Sequence, residues 1–143
     1  MRVFLDTNII LDLLLERDGY GTSALLFEGQ DSGRWKLCVS ILTIVNVAYI
    51  YRKGVGPEEV IPNLKYLSAL VEVLPMNTST LEESLFLKGR DFEDVLQYVC
   101  ASAGECDAIV TRNEKDFMIG SGLKSTPRSL PVFSPAAFVK QFV

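Results

Sequence analysis

Short apolar runs that read as strands alternate with helically spaced stretches along the whole chain, and this alternation limits the possible folds more than any other feature. Residues 2 to 6 carry the unbroken apolar run Val3-Phe4-Leu5, the pattern of a strand buried on both faces of a parallel sheet. Asn8 to Leu15 takes helical spacing, Arg17 to Gly21 breaks it, and Thr22-Ser23 opens a second helix. After the turn Asp31-Ser32-Gly33, Lys36 to Ser40 reads as the second strand and Ile41 to Arg52 as the helix it feeds. Pro57-Glu58-Glu59 starts the next helix, with proline at an early position and acids in the first turn. Val71 to Leu74 is the third strand, followed by helices over about 79–88 and 91–103. Ala108 to Thr111 and Val132-Phe133 are the fourth and fifth strands, and Pro135 to Phe142 is a closing amphipathic helix. Strands alternating with helices build right-handed βαβ units, so the expectation is an α/β fold around a mostly parallel sheet.

At 143 residues the chain is expected to form one domain, 1–143, large enough for a sizeable core. A hydrophobic content of 48% against 22% charged residues excludes long disorder. Val39 to Ile50 is interrupted by Ser40, Thr43 and Asn46, too soon for a membrane span. The N-terminus enters a strand without a basic leader, so a cytoplasmic location is expected. Cys38, Cys100 and Cys106 are odd in number, lack metal-finger spacing and lie in or beside apolar runs, as reduced buried thiols do. The absence of histidine removes Ser-His-Asp and Cys-His catalysis and His-rich zinc sites. A net charge of −4 argues against a non-specific nucleic-acid binder held by a basic surface. Arg34, Lys36, Arg52, Lys53, Arg112, Lys115 and Lys124 offer a local basic rim.

The acidic residues are placed more tellingly than they are numerous. Asp6 closes the first strand, Asp91-Phe92-Glu93-Asp94 opens a helix, and Asp116 follows the fourth strand within Thr111-Arg112-Asn113-Glu114-Lys115-Asp116-Phe117. Acids just past the carboxyl ends of strands point into the crevice where open α/β sheets bind ligands. Several carboxylates gathered there repel one another unless a cation lies between them, and hard oxygen donors suit Mg²⁺ or Mn²⁺. The pattern is that of a metal-dependent phosphodiesterase. Local structure alone offers a plainer account, since Asp6, Thr7 and Asn8 are all N-cap types and acids in a first helical turn favour the dipole. Asp91 and Asp94, three apart, share a helix face; Glu93 diverges from both and reads as solvated, while Phe92, Val95, Leu96 and Val99 supply the buried side. Asn77-Thr78-Ser79 reads as a helix cap rather than a glycosylation site, and Gly104 as a helix stop.

In order along the chain, FLDTNIILDLL, VSILTIVNVAYI, DFEDVLQYVCA, AIVTRNEKDF and VFSPAAFVKQFV resemble the successive blocks of a PIN domain, in the branch whose third block reads DFED. The resemblance implies a three-layer α/β/α fold with a sheet of about five strands in the order 3-2-1-4-5. It also implies a small Mg²⁺- or Mn²⁺-dependent ribonuclease of the VapC-toxin kind, acting on single-stranded or looped RNA, with an antitoxin protein as partner and a homodimeric state. The family's metal ligands carry over to Asp6 and Asp94, with Asp91 as an auxiliary ligand or a cap. The fourth acid falls either on Asn113 or on Asp116, so Asp116 must supply the charge. Thr7, Asn8, Thr111 and Asn113 would support the ligands by hydrogen bonds, and Arg112 and Lys115 either contact RNA or form a solvated face.

One position departs from the family pattern. Where the second block usually carries a metal-site Glu, counting on from Ser40 gives Asn46. Its carboxamide oxygen can ligate a cation but brings no charge, and a carboxylate 4 Å from a unit charge is worth about 4 kcal/mol at an effective dielectric near 20. The alternative is therefore a degenerate PIN domain that binds RNA or a protein with little or no cleavage. A haloacid-dehalogenase-like phosphatase needs Asp-x-Asp, and Asn8 replaces its second acid; a response-regulator receiver domain matches fewer blocks.

Overall fold

The computed structural model describes residues 1–117 and 129–143. Five strands, β1 (Arg2–Leu5), β2 (Lys36–Ser40), β3 (Glu72–Leu74), β4 (Ala108–Val110) and β5 (Val132–Phe133), form one sheet in the order β3-β2-β1-β4-β5. Every pairing is parallel, with Phe4 opposite Cys38 on one side and Ile109 on the other. The order follows the expectation and puts the topological switch between β1 and β4.

Side chains alternate across a strand, so β1 sorts its residues between two cores. Val3 and Leu5 join Leu37, Val39, Ala108 and Val110 on one face. There they meet Ile9 and Ile10 of α1 (Thr7–Leu14), Leu26 of α2 (Tyr20–Asp31), and Val47 of α3 (Ile41–Tyr51). Val60 and Leu67 of α4 (Pro57–Leu70) pack on that same face. Phe4, Cys38 and Ile109 face the other way. They pack on Leu74 and on Tyr98, Cys100 and Ala101 of α6 (Phe92–Ala103), which lies beside α5 (Thr78–Phe86). Helices on both faces make the α/β/α sandwich that the alternation implied.

The C-terminal helix α7 (Pro135–Phe142) closes the first core through Phe138, fully buried and edge-on to Trp35 with ring centroids 5.2 Å apart. Trp35 reaches that position only because Gly29 lacks a side chain; a Cβ there would stand 1.8 Å from the indole. The predicted caps are realised. Asn77 forms a capping box with Thr80 at the start of α5, and Gly104 ends α6. Cys38, Cys100 and Cys106 are buried free thiols.

Several boundaries and placements differ from the sequence reading. The second helix begins at Tyr20 rather than Thr22, and β4 ends at Val110, one residue before Thr111. Phe92, expected on the buried side of α6, is 47% exposed, whereas Val95 and Val99 are buried as expected. The basic rim does not assemble as one. Lys36 opens β2 and bonds Glu72 at 2.7 Å, beside the Arg2–Glu72 pair at 2.9 Å. These residues lie at the amino ends of their strands, opposite the crevice, and Arg2 holds the Glu72 carboxyl down to about 2. Arg34 precedes β2 at that same end, Arg52 and Lys53 stack over Tyr49, and Lys124 lies outside the described residues.

Candidate functional site

Where β1 and β4 end, the chain diverges into α1 on one side and toward residues 111–117 on the other. Asp6 is the hinge of this arrangement. Its backbone N–H donates to the Val110 carbonyl at 3.0 Å, fixing the two strand ends together. Its Oδ1 accepts from the Thr7 N–H at 2.6 Å, and its Oδ2 accepts from the Thr111 hydroxyl at 2.9 Å. The Thr111 oxygen in turn accepts from the Asn113 N–H at 3.0 Å. Asp6 thus caps α1 and lines the crevice at once, so the two readings of its sequence position are not alternatives. It is only 5% exposed, and burial pushes its pKa up; the charges of Glu93 and Asp116 add to the rise, and the Thr111 and Thr7 hydrogen bonds oppose it.

A buried polar network braces Asp6 from behind. Gln97 of α6 accepts from the Thr43 hydroxyl at 2.9 Å and from Ser40 at 3.4 Å, and donates to the Thr7 hydroxyl at 3.5 Å. Ser40 also caps α3 through the Thr43 N–H at 2.9 Å. Gln97 is fully buried, and an unpaired amide there would cost roughly 1–3 kcal/mol. Nothing in the residue pattern marks it, because a single Gln in a helical stretch reads as a surface residue.

Opposite Asp6 stands the first turn of α6. Asp91 is its N-cap and accepts from the Glu93 N–H at 2.9 Å. Asp94, one turn in and half-buried, has its pKa pushed up to about 7, first by burial and then by the charges of Asp6, Asp91, Asp116 and Glu93. Asp116 comes from the single 3-10 turn Glu114–Phe117, which buried Phe117 anchors in the second core. Its Oδ1 lies 3.9 Å from Nε of the exposed Arg90.

Asp6, Asp91, Glu93, Asp94 and Asp116 line one cleft of about 230 Å³, with Thr7, Asn8 and Asn113 on its walls. Among the described residues, no lysine or arginine lines it. The donors are hard oxygens, and carboxylates so placed raise one another's proton affinity, the condition under which a divalent cation is bound most readily. The donor set therefore fits Mg²⁺ or Mn²⁺. Among the described residues, no three acidic side chains stand close enough to form a ready-made ion cage.

Asn46 and Arg112 occupy places the sequence did not indicate. Asn46 is half-exposed rather than enclosed by its apolar neighbours, and its amide donates to Glu93 Oε1 at 2.5 Å. Glu93, expected to be merely solvated, is exposed but leans across the mouth of the cleft. Arg112 bonds Asp12 at 2.9 Å; Asp12 is fully buried while the Arg112 side chain is 47% exposed. This pair lies in a separate depression of about 310 Å³ beside α7. Lys115 is exposed.

Known proteins share this fold. Over 124 residues the chain is 27% identical to Ribonuclease VapC1 of Aquifex aeolicus, covering 81% of this chain and 83% of that protein. Its fold matches VapBC-1 from nontypeable Haemophilus influenzae with a TM-score of 0.65 at 19% identity, over 95% of this chain and 99% of the other. It matches VapBC2 from Rickettsia felis, bound to a DNA fragment from its promoter, at 0.63 and 19% identity, over 94% and 98%. DNA-bound VapBC from Salmonella typhimurium matches at 0.64 and 18%, also over 94% and 98%. With residues 2–115 matching the family model of the PIN domain, the chain belongs to the PIN domain family.

Proposed function

We propose that the protein is a metal-dependent endoribonuclease, using Mg²⁺ or Mn²⁺ held by Asp6, Asp94 and Asp116, with Asp91 as an auxiliary ligand. The convergence of these side chains in one cleft at the β1–β4 switch carries the reading. A bound divalent ion lowers the pKa of a coordinated water and offsets charge on a phosphodiester. The protein's own groups do the rest. Asp6 is immobilised by donors on both oxygens, which fixes the cleft floor. Burial pushes the Asp94 carboxyl up to about 7, so near neutral pH it is about half ionised and its charge is the one a divalent cation would stabilise most. The Thr7 N–H and the Thr111 hydroxyl orient the Asp6 carboxylate, the Asn113 N–H holds Thr111 in turn, and Asn8 lines the wall. The substrate we propose is single-stranded or looped RNA, the form whose backbone and bases lie open to a protein groove.

The reading is tested by incubating single-stranded RNA with the protein in Mn²⁺, in Mg²⁺ and in EDTA. Cleavage should require the ion and disappear in Asp6→Asn and Asp94→Asn. Cleavage that survives either substitution in full would refute it.

A second reading is a degenerate PIN domain that binds RNA or a protein without cutting, supported by the uncharged Asn46 and Asn113. RNA retention by wild type in Mn²⁺ without cleavage would favour it. An antitoxin partner is supported by the toxin–antitoxin complexes among the structural neighbours. The stripe Ile41, Val45 and Tyr49 on α3, each at least 51% exposed, offers apolar surface for such a protein or for a second copy. No helix among the described residues is long and apolar enough to cross a membrane.

A further inference from the structure

The family pattern puts a carboxylate at the position of Asn46, and the chain has none there. The structure shows what Asn46 does instead. Its Nδ2 donates to Glu93 Oε1 at 2.5 Å across 47 positions of sequence, tying α3 to the first turn of α6 over the mouth of the acidic cleft. Resting on the metal-dependent reading of this cleft, we infer that Glu93 supplies from α6 the negative charge that position 46 lacks on α3, and that Asn46 is the residue that positions it.

Three features of the geometry support the exchange. First, the pair is chemically exclusive. A carboxylate at 46 would stand within hydrogen-bond distance of the Glu93 carboxylate with no proton between them, so the arrangement admits one charge, not two. An amide at 46 is the side chain that turns this clash into a bond. Second, Glu93 lines the same cleft as Asp6, Asp94 and Asp116, whereas a merely solvated helix residue would face away. Third, Glu93 is held without losing its capacity as a donor. Its Oε1 accepts from Asn46, which leaves Oε2 for a cation, just as the cap that Asp91 makes through Oδ1 leaves that residue Oδ2 for an auxiliary role. The bond to Asn46 also restrains a flexible side chain, lowering the entropic cost of using it as a ligand.

The test is Mn²⁺ binding, followed by titration calorimetry and by loss of the free-Mn²⁺ electron paramagnetic resonance signal. Wild type would be compared with Glu93→Gln, Asn46→Ala, the double variant Asn46→Glu/Glu93→Gln, Asp6→Asn and Asp94→Asn. Metal-free melting curves establish that each variant is folded. Gln at 93 still accepts the Asn46 hydrogen bond, so that substitution removes the charge alone. Glu93→Gln should weaken Mn²⁺ binding by roughly 10- to 100-fold, the range for residues that hold or orient metal ligands, and Asn46→Ala should weaken it less. The double variant moves the charge back to α3 and should recover most of the lost affinity, with RNA cleavage following the same order. Unchanged binding in Glu93→Gln, alongside losses in Asp6→Asn and Asp94→Asn, would overturn the inference and leave the nuclease reading standing. A double variant as weak as Glu93→Gln would overturn the exchange of positions. Wild-type affinity in all of these variants would remove the metal site itself, and the inference with it.

Discussion

Replacing Asp94 by Asn should stabilise the metal-free protein at alkaline pH and destabilise it relative to wild type once Mn²⁺ is added. Asp94 is half-buried among Asp6, Asp91, Asp116 and Glu93, and its carboxyl is pushed up to about 7, whereas an unfolded chain ionises it near 3.9, roughly the ordinary value. Between those values the native state binds the extra proton. Stability of the metal-free protein therefore falls as pH rises from about 4 to about 7, and levels off above it. At face value the difference is about 4 kcal/mol; solvent screening of a half-exposed group brings it to about 2. Asn also forgoes about 0.5 kcal/mol of favourable charge at the helix N-terminus, leaving a net gain of about 1.5 kcal/mol at pH 8, or about 5 °C in Tm. At pH 4 the two proteins should melt together. Mn²⁺ at a hundred times its Kd should raise wild type by about 2.7 kcal/mol and Asp94→Asn by far less, which reverses their order. Thermal melts in EDTA from pH 4 to 8, repeated with Mn²⁺, decide it. If Asp94→Asn is the less stable protein at pH 8 in EDTA, and both gain equally from Mn²⁺, Asp94 is a structural cap and the repulsion argument fails.

Thr111→Val removes the hydroxyl that donates to Asp6 and accepts from the Asn113 N–H, so it should cost about 1–3 kcal/mol in urea denaturation and raise the Asp6 pKa further. Arg112→Met strands the buried Asp12 carboxylate and should cost about 2 kcal/mol, below the range for a fully buried pair because Arg112 is half-exposed. Adding Asp12→Asn should recover much of that loss in a double-mutant cycle, and independent additive losses would mean that the pair does not couple. Asn46→Glu alone sets a carboxylate against Glu93 and should lower metal-free stability by about 1 kcal/mol or more, a loss that Glu93→Gln should relieve. Equal melting of Asn46→Glu with and without Glu93→Gln would show that the two side chains do not meet in solution.

The fold was legible because its elements obey simple periodicities. Strand residues in a parallel sheet are apolar on both faces, so Val3-Phe4-Leu5 and Ile109-Val110 stand out in the sequence. Chemical punctuation marks several helix starts and ends, as at Pro57, Asn77, Gly104 and Pro135. The boundaries that slipped are those where two physical effects compete. Tyr20 begins α2 with no capping side chain, since Gly19 is its N-cap and contributes none, so only tertiary contact marks the start. Phe92 has the chemistry of a core residue, yet it stands 47% exposed in the first turn of α6, without neighbours among the described residues that bury it.

The site was legible in its backbone-fixed parts and not in its side-chain reach. Asp6 and Asp94 are held by strand ends and a helix turn, so their sequence context determines where they point. Glu93 is different. Helical spacing directs it away from Asp91 and Asp94, and from spacing alone it belongs to solvent. A glutamate has three rotatable bonds, however, and the amide of Asn46 on another helix draws it back over the cleft. A cation site depends on the total charge gathered around one point rather than on which element supplies each ligand. A charge missing from α3 and present on α6 therefore leaves the electrostatics of the cleft close to unchanged, although position by position the chain looks one ligand short. Asn46 then counts as the positive evidence for where that charge has gone.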